Sequence, residues 1–296
     1  MADKPAQKSR KISSTSSILE VLSLPQGQNT DNVLEAWQTG IWSVQVMQPE
    51  LQIARSYTPL PPKEGAEAEQ LRLFVRQEPQ GEVSSMLHRI SRGTLVHLRG
   101  PQIEYAVPEN VDEVLFLAGG TGIAPALQVA HVLYNHRLSS SSSSDHQPKL
   151  RILWANRHRE DSHSGLRQES IEPKDDKLPK DSLQSISQSQ NPLVDEVDSL
   201  KVKHPGKVSV EYFVDDDNSL ITESLLRKYL ADVVQKSEQI VADRSNGRKL
   251  LLISGPEGFI DHYAGPKFIK AGKEVQGPLG GMLEKIKPQG WEIWKL

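Results

Sequence analysis

The stretch Val114-Leu115-Phe116-Leu117-Ala118-Gly119-Gly120-Thr121-Gly122-Ile123-Ala124-Pro125 decides the fold. Its apolar run shows no alternation, which is what a parallel strand covered on both faces requires. Gly119, Gly120 and Gly122 let the backbone turn sharply and approach a ligand closely, and Pro125 suits the first turn of a helix. Apolar residues then recur at helical spacing through residues 126–133. Strand, glycine turn and helix start, in that order, aim free N–H groups at an anion, where a dinucleotide pyrophosphate sits on a parallel sheet. The alternative is a tight turn with no ligand.

Outward from that stretch, residues 150–154, 208–214 and 250–253 read as further strands, alternating with helical segments at 125–137 and 222–237. Upstream the grammar differs. Residues 18–24, 41–46, 53–58, 71–76 and 94–99 are short, β-rich and separated by Pro/Gly turns, with one brief helix at 84–90. The predicted fold class is therefore β plus α/β: an N-terminal antiparallel β-barrel over residues 18–110, then a Rossmann-like parallel α/β domain over 111–296. Residues 1–17 read as a disordered leader. Polar, serine-rich tracts near 139–148 and 162–204 read as solvated insertions in the second domain, the latter alternatively as a lid or partner-binding segment.

The totals exclude several classes of function. A formal net charge of -3 and a pI near 6.3 argue against a surface built for nucleic acid or anionic membrane. With no cysteine there is no disulfide framework, thiolate metal site or cysteine nucleophile. The histidines form no compact metal-ligand spacing, so no metal is expected. No Gly-x-Ser-x-Gly elbow supports serine hydrolysis. The basic N-terminus lacks an apolar region and does not read as a secretory signal, and no apolar run reaches membrane-spanning length.

Three groups of residues in the barrel half carry chemistry. Arg55 can hold phosphate through charge-assisted bonds, Tyr57 offers a ring to a flat heterocycle, and Thr58 offers a hydroxyl to its polar edge. Plain amphipathic surface residues are the competing reading. Val75 and Arg76 end the strand that precedes Gly81-Glu82-Val83-Ser84, where Ser84 is placed to cap a helix whose N-terminus attracts phosphate. In the second half, Asn156 and Arg157 follow a strand end, and Ser254-Gly255-Pro256-Glu257 follows another.

Arg55-x-Tyr57-Thr58, Gly81-x-x-Ser84 and Gly119-Gly120-Thr121-Gly122-Ile123-Ala124-Pro125 occur in the order of the ferredoxin-NADP reductase superfamily, and the chain resembles its cytochrome b5 reductase branch. That resemblance implies an NAD(P)H-dependent flavin oxidoreductase, with a FAD-binding barrel and a nicotinamide-binding α/β domain. It implies that Tyr57 packs on the isoalloxazine, that Thr58 approaches the flavin, and that Arg55, Val75, Arg76, Gly81, Val83 and Ser84 surround the FAD diphosphate. Gly119, Gly120, Thr121, Gly122, Ile123 and Pro125 would take the pyrophosphate of NADH or NADPH, and Asn156 and Arg157 its adenosine side. Arg157 and Arg159 favour a 2′-phosphate while Glu160 and Asp161 oppose it, leaving NAD versus NADP open. Ser254, Gly255, Pro256 and Glu257 match a Cys-Gly-Pro segment beside the nicotinamide, with Ser254 replacing the cysteine and slower turnover as the consequence. Tyr57, Thr58 and Ser254 are thus the residues set against the reacting rings.

The tail around residues 277–283 and the Ser-Gly-Pro-Glu-Gly-Phe segment are similar to fungal mitochondrial flavoproteins that assist haem attachment to cytochrome c. This narrower resemblance implies apocytochrome c and its haem lyase as partners, and a place on the mitochondrial inner membrane facing the intermembrane space. No tether is expected within this chain. The competing class is a flavin-binding assembly factor or scaffold with little nicotinamide-dependent catalysis. Trp294 is placed either to stack on isoalloxazine or in a final strand formed by the alternation of residues 291–296.

Overall fold

The computed structural model describes residues 2–14, 16–21, 30–63, 70–91, 93–136, 147–162, 191–237 and 247–296. Seven antiparallel strands make the first unit: β1 (Ala2–Lys11), β2 (Ser16–Val21), β3 (Gly40–Gln48), β4 (Ile53–Tyr57), β5 (Pro59–Leu60), β6 (Leu71–Arg76) and β7 (Leu95–Ala106), in the order β4-β3-β7-β1-β2-β6-β5. They curl around a core that includes Trp42, Val46, Leu71, Leu73 and Val75. Helix α2 (Glu82–Arg89) adds Val83 and Leu87 to that core.

Two expectations for this unit are corrected. The leader expected over residues 1–17 is corrected where it is described: residues 2–11 form β1, which lies between β2 and β7, with Ala2 opposite Leu98 and Lys11 opposite Ser17. The strand carries three lysines among its ten residues and no apolar run, and strand pairing is made by the backbone, so an apolar run is no prerequisite for joining the sheet. The unit also holds a second helix, α1 (Thr30–Thr39), which buries Val33, Ala36 and Trp37 at helical spacing.

The second unit is a five-stranded parallel sheet in the order β10-β9-β8-β11-β14, formed by β8 (Val111–Gly119), β9 (Lys149–Asn156), β10 (Val208–Val214), β11 (Arg248–Ser254) and β14 (Trp291–Lys295). Leu115, Phe116 and Leu117 are fully or almost fully buried, as a doubly covered strand demands. Helix α3 (Ile123–His131) follows the glycine turn and continues in a π-helical turn, Val132–His136. The remaining helices are α4 (Arg159–Ser162), α5 (Pro192–Lys203), α6 (Glu223–Ser237), α7 (Glu257–Ala264) and α8 (Gly281–Ile286). A small hairpin, β12 (Phe268–Lys270) with β13 (Lys273–Val275), stands apart from both sheets. Its base is clamped by the Lys295 ammonium, which donates to the carbonyls of Pro266 and Pro278, both at 2.9 Å.

The insertion expected over 162–204 is corrected at its C-terminal end. Residues 163–190, like the serine run at 139–144, lie outside the described residues. Residues 191–203, however, are part of the packed fold: Asn191 caps α5 by accepting the Leu193 N–H at 3.0 Å, and Leu193, Val194 and Val197 enter the main core. Arg72 of β6 forms a bidentate ion pair with Glu196 at 2.6 and 2.9 Å, fastening this helix to the barrel.

After β8 the chain moves to β9 and β10 on one side, then returns to β11 on the other. The carboxyl ends of β8 and β11 therefore flank the point where strand order reverses, which is where open α/β sheets bind ligands.

Candidate functional site

The barrel contributes one wall of a cleft of about 310 Å³. Arg55, Ser56, Tyr57 and Thr58 line it from the end of β4, Arg76 from the end of β6, and Gly81, Val83 and Ser84 from the start of α2. Helix α2 begins at Glu82, so Ser84 sits inside the first turn and is not the cap; Gly81 holds that position with no side-chain cap. The Ser84 hydroxyl instead accepts from the Glu78 N–H at 3.1 Å and donates to the Gly81 carbonyl at 3.0 Å, fixing the loop between β6 and α2. Orphan N–H groups of an uncapped first turn suit an anion.

Burial pushes the Tyr57 phenol up to about 12, with Arg55 pulling against the rise and Glu78 adding to it. The ring therefore presents a neutral, half-buried face to the cleft. Glu78 and Phe74, also on this wall, carried no motif in the sequence.

The opposite wall is the glycine turn with its neighbour from β11: Thr121, Gly122, Ala124, Pro125, Ser254 and Gly255. The two loops interlock. A methyl group on Gly122 would run into the Ser254 carbonyl, and one on Gly255 would lie 3.0 Å from the Gly119 Cα. Gly120 has φ 54, and a methyl there would find nothing nearer than the Arg76 guanidinium at 3.6 Å. The Trp154 indole N–H donates to the Gly120 carbonyl at 2.9 Å and holds the turn in place.

On the other side of the turn lies a larger cleft of about 650 Å³, lined by Gly119, Gly120, Asn156, Arg157 and Pro256 together with Phe259 and Tyr263. Arg76 borders both clefts. Asn156 is 5% exposed and its side-chain N–H₂ has no partner among the described residues, an orphaned donor of the kind a ligand satisfies. Asp215 and Glu223 also line this cleft. Next to Asp215, Asp216 pairs with His158 at 3.2 Å and Asp217 pairs with Arg159. The acidic triplet Asp215–Asp217 at the carboxyl end of β10 has a readable signal, three consecutive aspartates after a predicted strand.

Three candidate residues stand apart from both clefts. Val75 is 1% exposed and packs in the barrel core. Ile123 is fully buried beneath the turn. Glu257 is exposed in the first turn of α7. Trp294 lies in the final strand, with its ring 5.1 Å from that of Tyr105, and lines neither cleft.

The profile of the oxidoreductase FAD-binding domain family matches residues 8–106. These residues are a FAD-binding oxidoreductase domain. The chain is 23% identical to NADH-cytochrome b5 reductase 2 of Kluyveromyces lactis over 79% of its own length and 64% of that protein. It is 33% identical to the cytochrome c mitochondrial import factor of Saccharomyces cerevisiae, over 36% of this chain and 32% of that one. The chain thus spans less than two thirds of each of these relatives. Among solved structures, the cytochrome b5 reductase domain of Ulva prolifera nitrate reductase superposes with a TM-score of 0.55 at 15% identity, covering 99% of this chain and 97% of that one. Ferredoxin-NADP+ reductase from Plasmodium falciparum with 2′P-AMP gives 0.56 at 13%, covering 99% and 95%. Both share the two-unit fold. The FAD-binding domain fits its cofactor in this chain: Arg55 and the open first turn of α2 suit a diphosphate, and the half-buried, neutral Tyr57 ring suits a flat heterocycle.

Proposed function

We propose that the chain is a nicotinamide-dependent FAD oxidoreductase of the cytochrome b5 reductase type that uses NADH. The observation that carries this is the paired arrangement of the clefts: they lie on either side of one glycine turn and share Arg76. When bound, FAD supplies the two-electron chemistry, taking hydride from a nicotinamide and passing the electrons on. Arg55 and the α2 N-terminus hold the diphosphate, and Tyr57 and Thr58 orient the flavin. The interlocked turn at Gly119, Gly122 and Gly255 would set the spacing between the two cofactors, and Ser254, on the wall of the first cleft, would face them. Asn156 and Arg157 take the adenosine side of the nicotinamide cofactor. Asp215 at the rim, and the engagement of Arg159 by Asp217, oppose a 2′-phosphate and favour the ribose hydroxyl of NADH.

The proposed acceptor is haem iron during cytochrome c maturation, with apocytochrome c and its haem lyase as partners, at the inner mitochondrial membrane facing the intermembrane space. Similarity to the yeast import factor over 36% of this chain supports that narrower reading. A second reading, a flavin-binding scaffold with little turnover, is favoured by Ser254, which lacks the polarizable sulfur of the cysteine that it replaces.

Anaerobic mixing of the FAD-loaded protein with NADH or NADPH tests the proposal. Bleaching of the oxidised flavin band, faster with NADH, is the expected result; no bleaching with either overturns the reductase reading. The scaffold reading requires that an Arg55→Ala/Ser84→Ala chain without FAD still capture its partner.

A further inference from the structure

We propose that Ser14 is a phosphorylation site for a kinase that selects basic residues, and that its modification unfastens the loop beside the second cleft. The segment reads Arg10-Lys11-Ile12-Ser13-Ser14-Thr15-Ser16-Ser17, with cations three and four positions before Ser14. The structure separates the serines. Ser13, Ser16 and Ser17 are buried at 5%, 3% and 8% exposure, and the Ser13 hydroxyl accepts the Ser16 N–H at 3.1 Å. Ser14 is exposed, in the turn that joins β1 to β2.

Ser14 is also a clamp between the two units. Its backbone N–H donates to Glu160 Oε2 at 3.3 Å and its hydroxyl donates to Glu160 Oε1. Glu160 belongs to α4, three residues beyond Arg157 and four beyond Asn156, both of which line the second cleft. Arg159, beside Glu160, is paired with Asp217.

In the modification, Ser14 Oγ attacks the γ-phosphorus of Mg·ATP, an O–P bond forms, the bond to the β–γ bridging oxygen breaks and ADP leaves. The hydroxyl proton passes to the kinase's own base. The product replaces a donor with a group of about −1.5 to −2 charge, directly opposite a carboxylate. An attractive contact becomes like-charge repulsion, and α4 parts from the barrel turn. The effect on dinucleotide binding rests on the nicotinamide reading above; the site and the loosening of α4 do not. By linkage, a dinucleotide that favours the closed clamp also shields the hydroxyl.

The test treats the full chain, with and without NADH, with the catalytic subunit of cyclic-AMP-dependent protein kinase and Mg·ATP. The expected result is phosphate on Ser14 by peptide mass, none after Ser14→Ala, and slower incorporation with NADH present. Phosphorylation should speed amide hydrogen exchange across residues 157–162 and weaken NADH binding by about tenfold, the scale of a typical coupling between sites. In Glu160→Gln, where the opposing charge is gone, phosphorylation should leave that exchange slow. Absence of phosphate from Ser14, or a phosphorylated Ser14 with unchanged exchange at 157–162, overturns the proposal. Faster exchange in a chain that binds no NADH in either form supports it while removing the nicotinamide reading.

Discussion

The side-chain carbonyl of Gln128 accepts the backbone N–H of Trp42 at 2.9 Å, across 86 positions of sequence and from one unit to the other. Its amide donates in turn to the Pro59 carbonyl at 2.9 Å, and the side chain is fully buried. One helical residue thus satisfies two interior backbone groups of the barrel. Gln128→Leu leaves both unpaired, and each buried orphan costs about 1–3 kcal/mol. Urea unfolding should show a loss of about 2–6 kcal/mol by the same reckoning. A loss under about 0.5 kcal/mol would mean that relaxation or water replaces the staple.

Arg55 faces the first cleft from the end of β4, where its recorded bond is to the adjacent Ala54 carbonyl at 2.9 Å. Arg55→Ala should weaken FAD binding by about tenfold to a hundredfold, the worth of a charge-assisted pair. Flavin fluorescence titration measures it, and the thermal midpoint of the FAD-free chain should stay within a few degrees of wild type. Equal FAD affinity in both proteins would remove Arg55 from the diphosphate site.

Asp215 lines the second cleft near Arg157. Asp215→Asn should raise the NADPH-to-NADH ratio of kcat/KM by about fivefold to tenfold, the effect of one partly screened charge beside a phosphate. An unchanged ratio would place the 2′ position elsewhere on the rim.

Burial pushes the Tyr57 phenol up to about 12 in the fold from an ordinary 10.0. The folded chain holds this proton more tightly than the unfolded one, so its share of stability is complete below pH 10 and is lost as pH rises towards 12. Burial also lifts Tyr134, Tyr212 and Tyr263, so stability should fall steeply over the same range. Equilibrium unfolding at about pH 9 and about pH 11, either side of the ordinary phenol pKa, with Tyr57→Phe for comparison, should show a smaller loss in the variant. An equal loss in both would mean that Tyr57 has little part in the alkaline transition.

The motifs most legible in the sequence are those held within a few consecutive residues. Arg55, Tyr57 and Thr58 share one strand end, and Thr121, Gly122 and Pro125 one turn, so neighbours in sequence stay neighbours on the walls of the first cleft. Pairing partners were harder to see. β1 has no apolar signature because its pairing is backbone work, and α5 lies at the end of a polar tract although Leu193, Val194, Val197 and Leu200 carry a helical stripe. Ser84 is a cap by residue type but not by position, because α2 starts at Glu82, two residues before it. Trp154 and Gln128 hold the site through bonds spanning 34, 69 and 86 positions, for which a single sequence has no local marker.

Under the proposed function, the wall shared by the two clefts would make their occupants rivals for one cation. Arg76 borders both, and its charge is the same whichever ligand arrives first. A diphosphate on the barrel side spends part of that field before a second pyrophosphate approaches, and reciprocity imposes the same penalty in the opposite order. Half-loaded preparations would then contain two populations with unequal nicotinamide affinity, and their titration curves would broaden with flavin content.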